Sequence, residues 1–183
     1  MKNLIAMLLV SVLCACGGGG GGTDTSGSAI NFLQGNETVR IDKATEYTVD
    51  IPSAGNTVTI GAGNTVTHVI ITGANNNLIV ENSALIRDMQ ITGVNASVSL
   101  GTTVTVPSFV IDGANATVSI GAGDHIDLLA IAGSNAIVTI KASSAVVPVI
   151  RTSGSNITIR MPVGYSSQTT ITNTGANNTV IEQ

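Results

Sequence analysis

Thr72-Gly73-Ala74-Asn75 returns along the chain as Thr92-Gly93-Val94-Asn95, Asp112-Gly113-Ala114-Asn115, Ala132-Gly133-Ser134-Asn135, Ser153-Gly154-Ser155-Asn156 and Thr174-Gly175-Ala176-Asn177. Two shorter copies, Gly35-Asn36 and Gly55-Asn56, precede it. The asparagines fall at 36, 56, 75, 95, 115, 135, 156 and 177, in steps of 20, 19, 20, 20, 20, 21 and 21. A period of this size is the mark of a solenoid, in which each repeat buries its apolar face only by stacking on the next.

Within a repeat the apolar side chains keep strand spacing. Counting from Gly113 as the first place, places six and eight hold Leu78 and Val80, Val98 and Leu100, Val118 and Ile120, Val138 and Ile140. Place fourteen holds Val66, Ile86, Val106, Ile126 and Val146. Places seventeen and nineteen hold Val69 and Ile71, Met89 and Ile91, Phe109 and Ile111, Leu129 and Ile131. Steps of two inside each cluster are strand steps. The repeat therefore predicts an all-β, single-stranded parallel β-helix of about seven coils. Each coil has about 20 residues and three short strands. Coils stacked at about 4.8 Å make a column of roughly 34 Å. The chain lacks the hexapeptide pattern of left-handed β-helices, which favours a right-handed coil. Antiparallel hairpins would need turn chemistry between neighbouring strands and would not hold this period.

The Gly and Asn of the phrase suit a corner. Glycine permits a positive φ or a close backbone approach. Asparagine tolerates the left-handed region and bonds nearby backbone. Stacked on one another, Asn36, Asn56, Asn75, Asn95, Asn115, Asn135, Asn156 and Asn177 form a structural amide ladder, as in cross-β assemblies.

The ends differ from the repeats. Met1-Lys2-Asn3 is a short basic start and Leu4 to Leu13 an apolar run too short to span a bilayer permanently. Leu13-Cys14-Ala15-Cys16 resembles the lipobox of bacterial lipoprotein precursors. That resemblance implies cleavage before Cys16, diacylglycerol on its sulfur and an acylated amine, so that lipid joins the protein to a membrane. Cys14 leaves with the signal peptide, residues 1–15, and neither cysteine remains as a free thiol. Residues 16–28 form the lipidated cysteine and its tether, with glycines from Gly17 to Gly22. Twelve such residues reach roughly 19 Å as a coil. Glycine runs after the cysteine resemble those of outer-membrane and surface lipoproteins of Gram-negative bacteria. Residues 29–183 are the solenoid, with Ala29 to Leu33 as an apolar cap. The Thr179-Val180-Ile181 edge reads as an uncapped strand, open to self-association or to a protein partner.

The rest of the sequence excludes more than it selects. The net charge is −4 with no basic run, which speaks against nucleic-acid binding. Aromatics make up 2%, so platforms for sugars are lacking. Asp124-His125-Ile126-Asp127 is the densest polar cluster, and it reads as a solvated face because coil neighbours Thr105, Pro107, Ala145 and Val147 supply no strong metal ligand. His68 and Asp88 share a place in adjacent coils and predict an exposed ion pair. Asp88, Asp112, Asp124 and Asp127 occupy scattered places, unlike the grouped carboxylates of glycosidases. Thr57, Thr59, Ser97, Ser99, Thr117 and Ser119 line an outward face resembling that of ice-binding solenoids, broken by Asn77-Leu78-Ile79, Ile137 and Arg160.

The Gly-x-Asn-x-x-Val-x-Ile phrase, over residues 35–183, is similar to bacterial families of short secreted Gly/Asn-repeat solenoids that carry no assigned activity. Bactofilin-like solenoids are a weaker likeness, lacking the Asn corner. The expectation is a membrane-anchored, non-catalytic structural or binding module of the cell envelope, without cofactor or metal. The alternatives are a β-helix enzyme acting on polysaccharide and, more remotely, an ice-binding face.

Overall fold

The inward Val and Ile pairs of the repeat lie in two stacks of short parallel strands joined at a common corner. The computed structural model describes residues 28–183. The first sheet has eight strands in the order β1 (Ala29–Asn31), β3 (Tyr47–Ile51), β5 (Thr65–Ile71), β7 (Leu85–Ile91), β9 (Ser108–Ile111), β11 (Leu128–Ile131), β13 (Val149–Thr152) and β15 (Thr170–Asn173). The second stacks β2 (Thr38–Ile41), β4 (Thr57–Ile60), β6 (Asn77–Val80), β8 (Ser97–Leu100), β10 (Thr117–Ile120), β12 (Ile137–Ile140), β14 (Thr158–Met161) and β16 (Thr179–Glu182). Each strand pairs in parallel with the strand one turn away, in register. The result is a parallel β-solenoid of about eight turns, one more than the repeat count suggested. Ala29–Asn31 pairs with β3 as the first rung.

The core is one column of aliphatic side chains, with Val58, Ile60, Leu78, Val118 and Ile120 from the second sheet facing Val69, Ile71, Met89, Phe109 and Leu129 from the first. Alternation explains this: a strand points successive side chains to opposite faces, so residues two apart share the interior. Fully burying each such side chain contributes about 1.5–3 kcal/mol.

The third strand of each coil is less regular than the period implies. In β5 and β7 it is continuous with the first sheet, where Thr65 pairs with Leu85 and Val66 with Ile86. Farther along it shrinks to single bridges linking Leu85, Thr105, His125 and Val146. Pro107 and Pro148 stand just past these bridges, and a proline has no N–H to continue a ladder. The third side also corrects one assignment. His125 is level with Val146, so the residue level with Ile126 is Val147. Val147 is 2% exposed and Val146 45%. One extra residue between Ile140 and Ala145 shifts the register of that coil.

Two ion pairs clamp coils two turns apart on the surface: Arg40 to Glu81, and Arg87 to Glu46 at 2.7 Å. Exposed pairs of this kind contribute little, because water and salt screen them. Among the described residues no helix is long and apolar enough to cross a membrane.

Candidate functional site

The Asn corner connects the first sheet to the second. Asn75, Asn95, Asn115, Asn135 and Asn156 all adopt left-handed backbone, with φ between 55° and 57°. Their amides stack as a ladder in which each Nδ2 donates to the Oδ1 of the preceding coil. Asn95 reaches Asn75 at 2.9 Å, Asn115 reaches Asn95 at 2.9 Å, Asn135 reaches Asn115 at 3.1 Å and Asn156 reaches Asn135 at 3.0 Å. Asn36 and Asn177 hold the same left-handed corner in the first and last coils.

Asn56 does not. Gly55 takes the left-handed position in that coil, at φ 78°, and Asn56 is buried one place further on. There it stacks with Asn76: the Asn76 Oδ1 accepts from the Asn56 N–H at 2.8 Å, and the Asn56 Oδ1 accepts from the Glu37 N–H at 2.9 Å. The single 19-residue step belongs between Asn36 and Gly55, where the register shifts at Tyr47 and Val49. The ladder asparagines bond one another at the surface, whereas this inner pair satisfies buried backbone.

The glycine of the phrase serves close approach. In the full copies the left-handed residue is the asparagine, and Gly73, Gly93, Gly113, Gly133, Gly154 and Gly175 are not among the glycines with positive φ. A Cβ on Gly133 would stand well inside van der Waals distance of the Gly113 carbonyl oxygen, and Gly113 stands in the same relation to Gly93. This column of bare backbone floors an open groove of about 620 Å³, edged by Asp112, Ala132, Ser134, Ser153, Ser155 and Thr174. Its side chains are short and Asp112 is its one carboxylate.

The polar cluster at 124–127 divides in two. His125 and Asp127 are exposed and paired, Nε2 to Oδ1, at 2.7 Å. Asp124 belongs to the interior rather than to a solvated face. It is fully buried at the second corner, where its Oδ1 accepts from the Val104 N–H at 2.8 Å and its Oδ2 from the Gly121 N–H at 2.6 Å. Burial pushes its carboxyl above the ordinary range, and the two N–H donors oppose that shift. Asn64 occupies the equivalent place in an earlier coil, its Oδ1 accepting from the Lys43 N–H and the Tyr47 hydroxyl. His68 Nδ1 lies 3.5 Å from Asp88 Oδ2, and both side chains are exposed.

Asp88 thus stands outside the first sheet, Asp112 beside the Asn corner, Asp124 within the second corner and Asp127 on the third side. Among the described residues no three His, Cys, Asp or Glu side chains gather as a metal site would require. Cys16 lies outside the described residues. The outer face of the second sheet carries Thr57, Thr59, Ser97, Ser99, Thr117, Ser119 and Thr139, interrupted by Ile79, Ile137 and Arg160.

The class defined by this architecture is a single-chain parallel β-solenoid with an asparagine corner. Comparison with protein families, with curated proteins and with solved structures finds no match to the chain.

Proposed function

We propose that the protein is a lipid-anchored component of the bacterial cell envelope, most simply of the outer membrane, whose solenoid is a non-catalytic structural or binding module. The observation that carries the reading is Leu13-Cys14-Ala15-Cys16 followed by six glycines, Gly17 to Gly22, shortly ahead of the first rung of the solenoid. Several acyl chains on one cysteine hold a protein stably, since each buried CH₂ contributes about 0.8 kcal/mol. In this reading the glycine run, by its composition, serves as the tether between the lipid and the column.

The surface supports a module more than a catalyst. Hydrolysis of a glycosidic bond needs two carboxyl groups held together across the bond. The four aspartates above stand on separate parts of the column, and the groove beside the glycine column offers hydroxyls and backbone instead. A face that carries Thr or Ser in most coils provides many similar hydrogen-bonding groups, which suits broad, low-specificity contact.

The test is to replace Cys16 with Ser and fractionate cells grown with a labelled fatty acid. The reading expects wild-type protein in the membrane fraction carrying label, and the variant released and unlabelled. A variant that stays in the membrane with label attached refutes the anchor.

A further inference from the structure

The two ends of the column have congruent backbones. β1 and β2 begin nine residues apart, at 29 and 38, as do β15 and β16, at 170 and 179. Left-handed asparagines stand at both end corners, Asn36 at φ 61° and Asn177 at φ 56°. On backbone geometry alone a second copy could set its first coil on the last coil of another and extend both sheets and the Asn ladder.

The side chains of the last coil oppose this. The inward column Ile71, Ile91, Ile111 and Ile131 continues as Thr152 and then Asn173. The inward column of the second sheet passes from Met161 to Glu182. Asn173 Oδ1 accepts from the Thr152 hydroxyl at 3.0 Å, from Asn178 Nδ2 at 2.8 Å and from the Gly175 N–H at 3.1 Å. Asn178 Oδ1 in turn accepts from the Ile157 N–H at 2.9 Å.

The third side is closed by a short 3-10 turn, Tyr165–Gln168. In inner coils the N–H level with Val147 donates to a carbonyl of the next coil, as Ile126 does to Val146 at 2.9 Å. The carbonyl level with Ala145 accepts from the next coil, as Asp124 does from Val146 at 2.7 Å. Here the buried Tyr165 hydroxyl supplies both partners, accepting from the Val147 N–H and donating to the Ala145 oxygen, each at 3.0 Å. Glu182 then caps the turn, accepting from the Gly164 N–H at 3.1 Å and the Ser166 N–H at 2.8 Å.

We propose that the last coil is a built-in stop that keeps copies of this protein from stacking end to end. By register a docked copy would bring Glu182 onto the apolar column that starts at Ile41 and Asn173 onto the one that starts at Phe32. A buried carboxylate without a charged partner is strongly unfavourable, and an inward-pointing charge at an edge is a known guard against strand addition. Val180, 42% exposed, and the half-buried Ile171 are the apolar remnants of the column that the stop leaves in place. The edge that the sequence presents as uncapped therefore carries a polar residue at an inward place of each sheet, Asn173 and Glu182, and a capped third side. Repeat arrays need such polar terminal units for solubility.

The test compares three full-length proteins by sedimentation velocity across a wide concentration range, each carrying Cys16→Ser so that lipid does not drive association. One is otherwise unchanged, one adds Asn173→Ile with Glu182→Leu, and one adds only Glu182→Gln, which keeps shape and removes charge. The proposal expects the parent to remain monomeric. The double variant should associate roughly tenfold or more tightly than the parent, and Glu182→Gln should lie between them. Far-UV circular dichroism confirms that the sheets persist. A parent that assembles overturns the proposal, as do folded variants that stay monomeric. Should the double variant fail to fold, Glu182→Gln decides in the same way.

Discussion

Removing the Tyr165 hydroxyl should unfasten the last coil. Tyr165→Phe keeps the ring that fills the third side and deletes the one atom that joins the Val147 N–H to the Ala145 carbonyl. Both groups are left without a partner in a site where the tyrosine is 2% exposed. An unsatisfied buried polar group costs about 1–3 kcal/mol, so the pair should cost about 2–6 kcal/mol. Tyr47→Phe is the control. Tyr47 is equally buried, but its hydroxyl only donates to Asn64 Oδ1, which also accepts from the Lys43 N–H. Its loss leaves that acceptor satisfied and should cost no more than about 1 kcal/mol. Urea unfolding followed by circular dichroism gives the midpoints. Because coils contact only their neighbours, amide exchange should also show the C-terminal coil opening first in Tyr165→Phe. Equal midpoints for the two variants, or unchanged protection around Val147, would refute the cap.

Gly133→Ala should be severely destabilising, by more than about 3 kcal/mol, because its Cβ meets the rigid Gly113 backbone. Gly63→Ala, with open space around it but φ 68°, should cost only about 1–2 kcal/mol; thermal melts that rank them the other way would contradict close approach as the role of the glycine column. Asp124 has a folded-state pKa raised by burial, so its contribution is fully present below the unfolded value near 3.9 and is lost as pH rises through the folded one. The stability of wild type relative to Asp124→Asn should therefore fall as pH rises from about 3.5 to 7, and a difference that stays flat or grows would contradict the sign.

Period and alternation carried the architecture because a solenoid writes the same burial rule into every coil. Leu78, Val98, Val118 and Val138 could be assigned inward without any long-range knowledge. What escaped that rule lies where a coil gains or loses a residue. The shift at Tyr47 and Val49 moves Asn56 off the corner and puts Gly55 there. The extra residue before Ala145 turns Val146 outward and Val147 inward. Asp124 looked like part of a polar surface because a single buried carboxylate held by two backbone N–H groups has no periodic signal. The stop at the far end was hidden for the same reason. Asn173 and Glu182 show themselves as substitutions at inward places only once register is known, and Tyr165 acts from a turn outside the repeat. The glycine role was open between positive φ and close approach until the backbone showed that asparagine takes the left-handed position.

The central claim is that each repeat of about twenty residues adds one rung to a straight parallel stack. Paired spin labels on outward second-sheet positions, with distances read by electron–electron resonance, test it most directly. Thr38 paired in turn with Thr117, Thr158 and Thr179 spans four, six and seven rungs along the second-sheet order. At about 4.8 Å per rung the separations should be roughly 19, 29 and 34 Å, broadened by the label arms. A linear rise with rung number is the predicted result; separations that fail to grow from Thr117 to Thr179 would contradict the stacked column.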